Sequence, residues 1–198
     1  MRLLLMGPPG AGKGTQAAVI AERFAVPAIS TGDIFRANVA RRTALGTAAQ
    51  TYMDAGEYVP DEITNAMVAD RLCEGDCVDG FLLDGYPRTP QQVVELDTIL
   101  DRSGVALDAA VLLEADPDEL VSRLLARSEE QGRADDTESV IRRRLEVYAA
   151  ETGPLAARYA ERDLLATVDG LGPVEEVTER ILAALTSMSA QRTATSAP

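Results

Sequence analysis

The sequence predicts an α/β fold, a five-stranded parallel sheet flanked by helices. Three observations point there. Short apolar runs alternate with segments of helical period. Helix openings are punctuated by a capping residue directly before proline. A glycine-rich turn joins the first apolar run to the first helix. At 198 residues the chain is long enough to bury the core of one such domain.

In chain order, the candidate strands are Arg2–Met6, Ala28–Ser30, Phe81–Asp84, Ala109–Leu113 and Leu164–Val168. Most are nearly all apolar, as expected of strands covered on both faces. Helices are expected to open at Thr89-Pro90, Asp116-Pro117, Gly153-Pro154 and Gly172-Pro173. Asp135 with Glu138 resembles a capping box opening a helix that runs to about Ala150. Two stretches fall outside the alternation. Residues 31–60 hold two or three helical pieces with no strand, and residues 128–134 read as a short polar loop. Both look like insertions at the edge of the sheet. The tail from Thr186 to Pro198 is rich in Ser, Thr and Ala and is expected to fray or be disordered. The domain expectation is a single unit over 1–185 followed by the tail 186–198.

A formal charge of −13 disfavours general affinity for nucleic acid or an anionic membrane. Any anion must be held by locally clustered cations or backbone dipoles. The opening apolar run is too short for a signal peptide, and no run approaches the ~20 residues of a membrane helix. Cys73 and Cys77 are the only cysteines and histidine is absent, which argues against a disulfide framework and a zinc site. Four apart in a helical stretch, the two cysteines read as small buried apolar residues. A cytoplasmic location is the expectation.

The turn Gly7-Pro8-Pro9-Gly10-Ala11-Gly12-Lys13-Gly14-Thr15 lies between a strand and a helix, the context a phosphate-binding loop requires. Glycines let successive N–H groups point inward at phosphate oxygens. The helix N-terminus adds partial positive charge and Lys13 a full one. The usual motif has Ser or Thr directly after Lys, whereas here Gly14 intervenes before Thr15. That departure disfavours the common switch and motor proteins, whose hydroxyl binds Mg²⁺ at that place.

Asp84 closes a buried strand ahead of Gly85-Tyr86-Pro87-Arg88. Ligands sit beyond such strand ends, so Asp84 is expected to face the loop and to orient Mg²⁺ through its water shell. A plain turn or capping aspartate is the rival reading. Thr31-Gly32-Asp33 with Arg36 opens another helix after the second strand. Arg36 alone would be an ordinary surface arginine, but paired with Arg88 at a neighbouring strand end it suggests an anion clamp. A third cluster gathers Arg123, Arg127, Arg133, Arg142, Arg143 and Arg144. Arg123 and Arg127 share a helix face, and Arg142 and Arg143 read as the solvated members.

These residues together resemble the adenylate kinase family. The resemblance runs from Met1 to about Leu185. It covers the loop at 7–15, Ser30–Asp33 with Arg36, Phe81–Arg88 with Gln92, and Gly132–Asp136 followed by Arg142–Leu145. It implies the nucleoside monophosphate kinase fold around a phosphate loop. A small monophosphate-binding insertion would occupy about 30–59 and a short lid about 127–133, without metal in the lid.

The resemblance further implies that Gly10, Ala11, Gly12, Lys13, Gly14 and Thr15 bind ATP phosphates. Arg123, Arg127 and the backbone near Gly172 would meet the rest of ATP. Thr31, Arg36, Glu57, Tyr58, Val59, Gly85, Tyr86, Pro87, Arg88 and Gln92 would hold AMP, with Arg133 and Arg144 across the transferring phosphoryl group. Lys13, Asp84, Arg88, Arg133 and Arg144 are the catalytic set. The implied reaction is Mg-ATP plus AMP giving two ADP, in a monomer.

The related uridylate–cytidylate kinases tend to carry Ala where this chain has Thr31, and Asn where it has Gln92. Both residues offer hydrogen bonds suited to the adenine edge, which favours AMP. A non-catalytic nucleotide-binding switch needs only the loop, and gives no reason for a second arginine-lined site.

Overall fold

In the computed structural model, which describes residues 1–131 and 137–195, five parallel strands run in the order β2-β3-β1-β4-β5. They are β1 (Arg2–Met6), β2 (Ala28–Ser30), β3 (Phe81–Asp84), β4 (Ala109–Glu114) and β5 (Leu165–Asp169). The last two end one residue later than predicted, because Glu114 and Asp169 pair with each other at the sheet margin. β1 lies between β3 and β4, with Leu5 opposite both Asp84 and Val111.

Alternation along β1 sorts the core into two layers. Leu3 and Leu5 pack with Ile20 of α1 (Lys13–Phe24), Leu120 of α6 (Pro117–Gln131) and Ile181 of α9 (Val174–Thr195). Leu4 and Met6 face the other way. They pack with Val68 of α4 (Asp61–Leu72), Leu96 of α5 (Pro90–Arg102) and Tyr159 of α8 (Leu155–Ala160). The stretch between β2 and α4 holds α2 (Thr31–Ala40) and α3 (Ala44–Ala55). Its own small core is Phe35, Ala49 and Val59. Separate packing of this kind is what allows one part to move against another.

Several local expectations are corrected. α7 (Glu138–Val147) is capped by Thr137, whose hydroxyl accepts from Val140 N, rather than opened by an Asp135–Glu138 box; Asp135 lies outside the described residues. α7 also stops at Val147, and a wide helical turn spans Tyr148–Thr152. Residues 128–131, predicted as loop, continue α6; Glu129, Glu130 and Gln131 favour helix, and the first glycine comes only at 132. The tail expected to be disordered from Thr186 is helical to Thr195. Val177, Ile181, Leu185 and Met188 carry one apolar stripe of α9 onto the sheet, and the helix simply runs on. Pro154 is the residue before α8 rather than its first. Cys77 is buried, in a short turn at Gly75–Cys77, whereas Cys73 at the end of α4 is exposed.

Candidate active site

The chain leaves β1 towards β2 on one side of the sheet, and leaves β3 towards β4 on the other. The crossovers therefore part at the C-terminal ends of β1 and β3, where a crevice opens in sheets of this kind. A cleft of about 510 Å³ lies there, within the range of small-molecule sites.

One wall is the turn after β1. Gly12 caps α1 with φ +86°, a left-handed conformation open to glycine at no steric cost, and has no side chain of its own to cap the first turn's N–H groups. Those donors and the helix dipole favour an anion. Lys13 Nζ folds back on the loop and donates to Gly7 O (2.8 Å) and Pro8 O (2.9 Å). The ammonium is thus held at the loop's mouth, able to exchange carbonyls for phosphate oxygens. Gly14 needs no special backbone. A Cβ there would lie 4.0 Å from Asp84 Oδ2, so the residue that displaces the usual hydroxyl leaves open room beside the β3 carboxylate.

The opposite wall is the turn after β3. Gly85, at φ +78°, lies so close to its neighbours that a Cβ would stand 2.8 Å from the Arg88 guanidinium and 3.0 Å from Thr31 Oγ1. Its carbonyl accepts from Arg88 Nε (2.6 Å) and from Thr31 Oγ1 (2.8 Å), tying β3's turn to the start of α2. The Tyr86–Pro87 peptide is cis. Tyr86 is buried and donates to Asn65 Oδ1 (2.8 Å).

Arg88 is held from several sides. Its guanidinium carbon sits 5.0 Å from the Tyr58 ring centroid, an attractive cation–π distance. Its N–H donates to Gln92 Oε1 (2.7 Å), and its carbonyl accepts from Thr152 Oγ1 (2.9 Å). Thr152 has one hydroxyl hydrogen, given to Arg88, so Tyr58 must be the donor in the 2.7 Å Tyr58–Thr152 bond. Burial pushes the Arg88 pKa below its ordinary value, opposed by Tyr58 and Asp84. Burial also raises the Asp84 pKa, opposed by Lys13 and Arg88.

In a chain of charge −13, the cleft is lined by five cations (Lys13, Arg36, Arg88, Arg123, Arg144) against three carboxylates (Asp33, Glu57, Asp84). This local reversal of sign suits a polyanionic ligand. Arg36 pairs with Asp33 (2.5 Å), and Arg123 with Glu119 (3.2 Å). Arg142 and Arg143 are exposed as predicted but not idle. Arg142 pairs with Glu138, and Arg143 reaches Glu57 at 2.6 Å, joining α7 to the loop after α3.

The structure thus brings together Gly10, Gly12, Lys13, Gly14, Thr15, Thr31, Arg36, Glu57, Tyr58, Val59, Asp84, Gly85, Tyr86, Pro87, Arg88, Gln92, Arg123 and Arg144. Two predicted residues stand apart from this lining. Ala11 is buried in the core, and its N–H closes a turn onto Pro8 O. Gly172 lies in the β5–α9 turn, against Arg180 and Glu176. Arg127 lies on α6. Arg133 lies outside the described residues. Sequence reasoning missed Thr152 and Asp61. Asp61 Oδ2 accepts from Thr89 Oγ1 (2.6 Å) and Oδ1 from Gln92 Nε2 (2.7 Å). An aspartate in the first turn of α4 reads from sequence only as a complement to the helix dipole.

Known proteins share this sequence closely. A family model described as adenylate kinase matches residues 5–164. The chain is 63% identical over 184 residues to an adenylate kinase of Kocuria rhizophila, covering 93% of this chain and 98% of that one. It is 63% identical over 185 residues to one from a Nocardioides species (93% and 97% covered). To one from Pseudarthrobacter chlorophenolicus it is 56% identical over 189 residues (96% and 98% covered). With the crevice, its two cation-bearing turns and a match through β1 to α8, the chain belongs to the adenylate kinase family.

Proposed function

We propose that this chain transfers the terminal phosphoryl group of ATP to AMP at the cleft, giving two ADP by direct in-line displacement. The observation that carries the reading is the meeting of two cationic anion-holding turns in one crevice, one after β1 with Lys13 and one after β3 with Arg88. A nucleotide switch needs one such turn; transfer between two nucleotides needs two, facing each other.

The loop from Gly10 to Thr15 holds the ATP phosphates, with Arg123, Arg127 and Gly172 towards the rest of ATP. Thr31, Arg36, Glu57–Val59, Gly85–Arg88 and Gln92 hold AMP. An oxygen of the AMP phosphate attacks the terminal phosphorus as the bond to the bridging oxygen breaks, and that oxygen leaves with ADP. No protein nucleophile is required, so positioning and charge stabilisation carry the rate. Lys13, Arg88, Arg133 and Arg144 neutralise the equatorial oxygens.

Among the described residues no group of three or more His, Cys, Asp or Glu could hold a metal alone. Asp84 with Thr15 nearby does fit an ion that keeps its waters and rests on phosphates, as Mg²⁺ does. Bound with ATP, Mg²⁺ would supply further neutralisation of phosphate charge, with Asp84 orienting its water shell. The insertion at 31–60 closes over the nucleotides and excludes water, which would otherwise take the phosphoryl group; the lid expected at 128–134 lies partly outside the described residues.

The same reading expects a cytoplasmic monomer without nucleic-acid or membrane partners. Two free cysteines suit a reducing compartment, and strong net charge opposes self-association. A coupled assay with ATP and each of AMP, UMP and CMP tests the central reading. AMP is expected to be the preferred acceptor, and a preference for UMP would overturn it.

A further inference from the structure

We propose that Asp61 is a specificity-determining positioning residue, which locks the Gln92 amide in one orientation so that the acceptor site reads adenine and rejects guanine. The inference rests on the reading above that Gln92 meets the AMP base.

A glutamine amide has a donor end and an acceptor end, and a half-turn about its last bond exchanges them. In this fold the half-turn is blocked on both sides. The Asp61 carboxylate can only accept, so it requires the Nε2 end, at 2.7 Å. The Arg88 backbone N–H can only donate, so it requires the Oε1 end, also at 2.7 Å. Either partner alone would bias the amide; the two together oppose reversal at both ends. Thr89 steadies the lock, donating to the second Asp61 oxygen at 2.6 Å while capping α5 through Gln92 N.

One lone pair and one N–H of the amide remain after these bonds, and Gln92 lines the cleft. Adenine offers a match at its Watson–Crick edge, an exocyclic N–H donor beside the ring N1 acceptor. The corresponding guanine edge is reversed, with a carbonyl acceptor beside a ring N–H donor. A freely turning glutamine would satisfy either base. A locked one leaves guanine with donor facing donor and acceptor facing acceptor. Asp61 thus selects the base without touching it, through a residue 31 positions away in the chain.

The test is the ratio of kcat/KM for AMP to that for GMP in Asp61→Asn, Asp61→Ser, Asp61→Glu and Gln92→Leu, with ATP as donor. Asn and Ser can donate as well as accept, so both variants should lower the AMP:GMP ratio about tenfold, roughly one hydrogen bond's worth of discrimination. Asp61→Glu keeps an accept-only group and should restore most of the ratio. Reading Asn and Ser in parallel, with thermal melts, keeps the result from depending on one variant's folding. A purely structural Asp61 would weaken AMP and GMP use equally and leave the ratio unmoved, which would overturn the proposal. If Gln92→Leu shifts the ratio and the Asp61 variants do not, the lock is refuted while the base-binding role of Gln92 stands. If Gln92→Leu also leaves it unmoved, the placement of the base itself is wrong.

Discussion

Thr152→Val removes one hydroxyl and almost no volume, yet it should be among the costlier conservative changes in this protein. Thr152 is 5% exposed and sits in the wide turn after α7. Its hydroxyl donates to Arg88 O at 2.9 Å and receives the Tyr58 hydroxyl at 2.7 Å. Valine fills the space but leaves a partly buried carbonyl and a phenol without this partner. Each orphaned group costs about 1–3 kcal/mol, so the expected loss for the two is about 2–6 kcal/mol. In a protein of this size that lowers Tm by about 4–24 °C, read by calorimetry or circular dichroism.

The effect on activity should be lopsided. Tyr58 stacks on the Arg88 guanidinium, so freeing the phenol loosens the AMP side and raises its KM more than that for ATP. Tyr58→Phe removes the same phenol–hydroxyl bond but spares the bond to Arg88 O. It should therefore cost less than Thr152→Val, and the double variant should cost less than the sum of the singles. A Tm shift under about 1 °C, with AMP KM unchanged, would refute this account of Thr152.

Lys13→Ala should lower kcat by about 10³-fold or more while the melting curve stays cooperative, and a variant with near-parental turnover would remove the loop's assigned role. Arg88→Ala should damage AMP use far more than ATP affinity, measured by separate titrations; equal losses would contradict the assignment of the two walls. Asp84→Asn tests a trade of stability for activity. Burial raises the Asp84 pKa above its ordinary 3.8, so the ionised form is disfavoured by folding. The stability it contributes is fully present below 3.8 and lost as pH rises through the higher folded value. The asparagine variant should therefore melt higher than the parent near neutral pH, with the gap closing in acid, while turnover falls. A lower Tm at neutral pH would show that the Lys13 and Arg88 charges outweigh burial.

Much of this protein was readable because its cues are local. Short, mostly apolar runs mark the strands, and Thr89-Pro90 and Asp116-Pro117 open α5 and α6 as expected. The phosphate-loop reading needed only a strand, glycines, a lysine and a helix start in consecutive order. Where local cues competed, the nearer one prevailed. Thr137, adjacent to the first residue of α7, took the capping role predicted for Asp135. Composition misled at the C-terminus, where a Ser/Thr/Ala-rich stretch continued a helix already anchored on the sheet.

By itself, then, the sequence determined the α/β class, the five strands, the loop at 7–15 and the two arginine-bearing strand ends, because each lies within a few consecutive residues. Only the tertiary structure decided what holds those groups in place. Tyr58 meets Thr152 across 94 positions, Arg143 meets Glu57 across 86, and Asp61 meets Gln92 across 31. Nothing in a periodicity or a motif encodes such pairs. They form because the crossovers at β1 and β3 diverge and fold the insertion, α5 and the turn after α7 around one crevice. There, polar groups taken out of water must find one another.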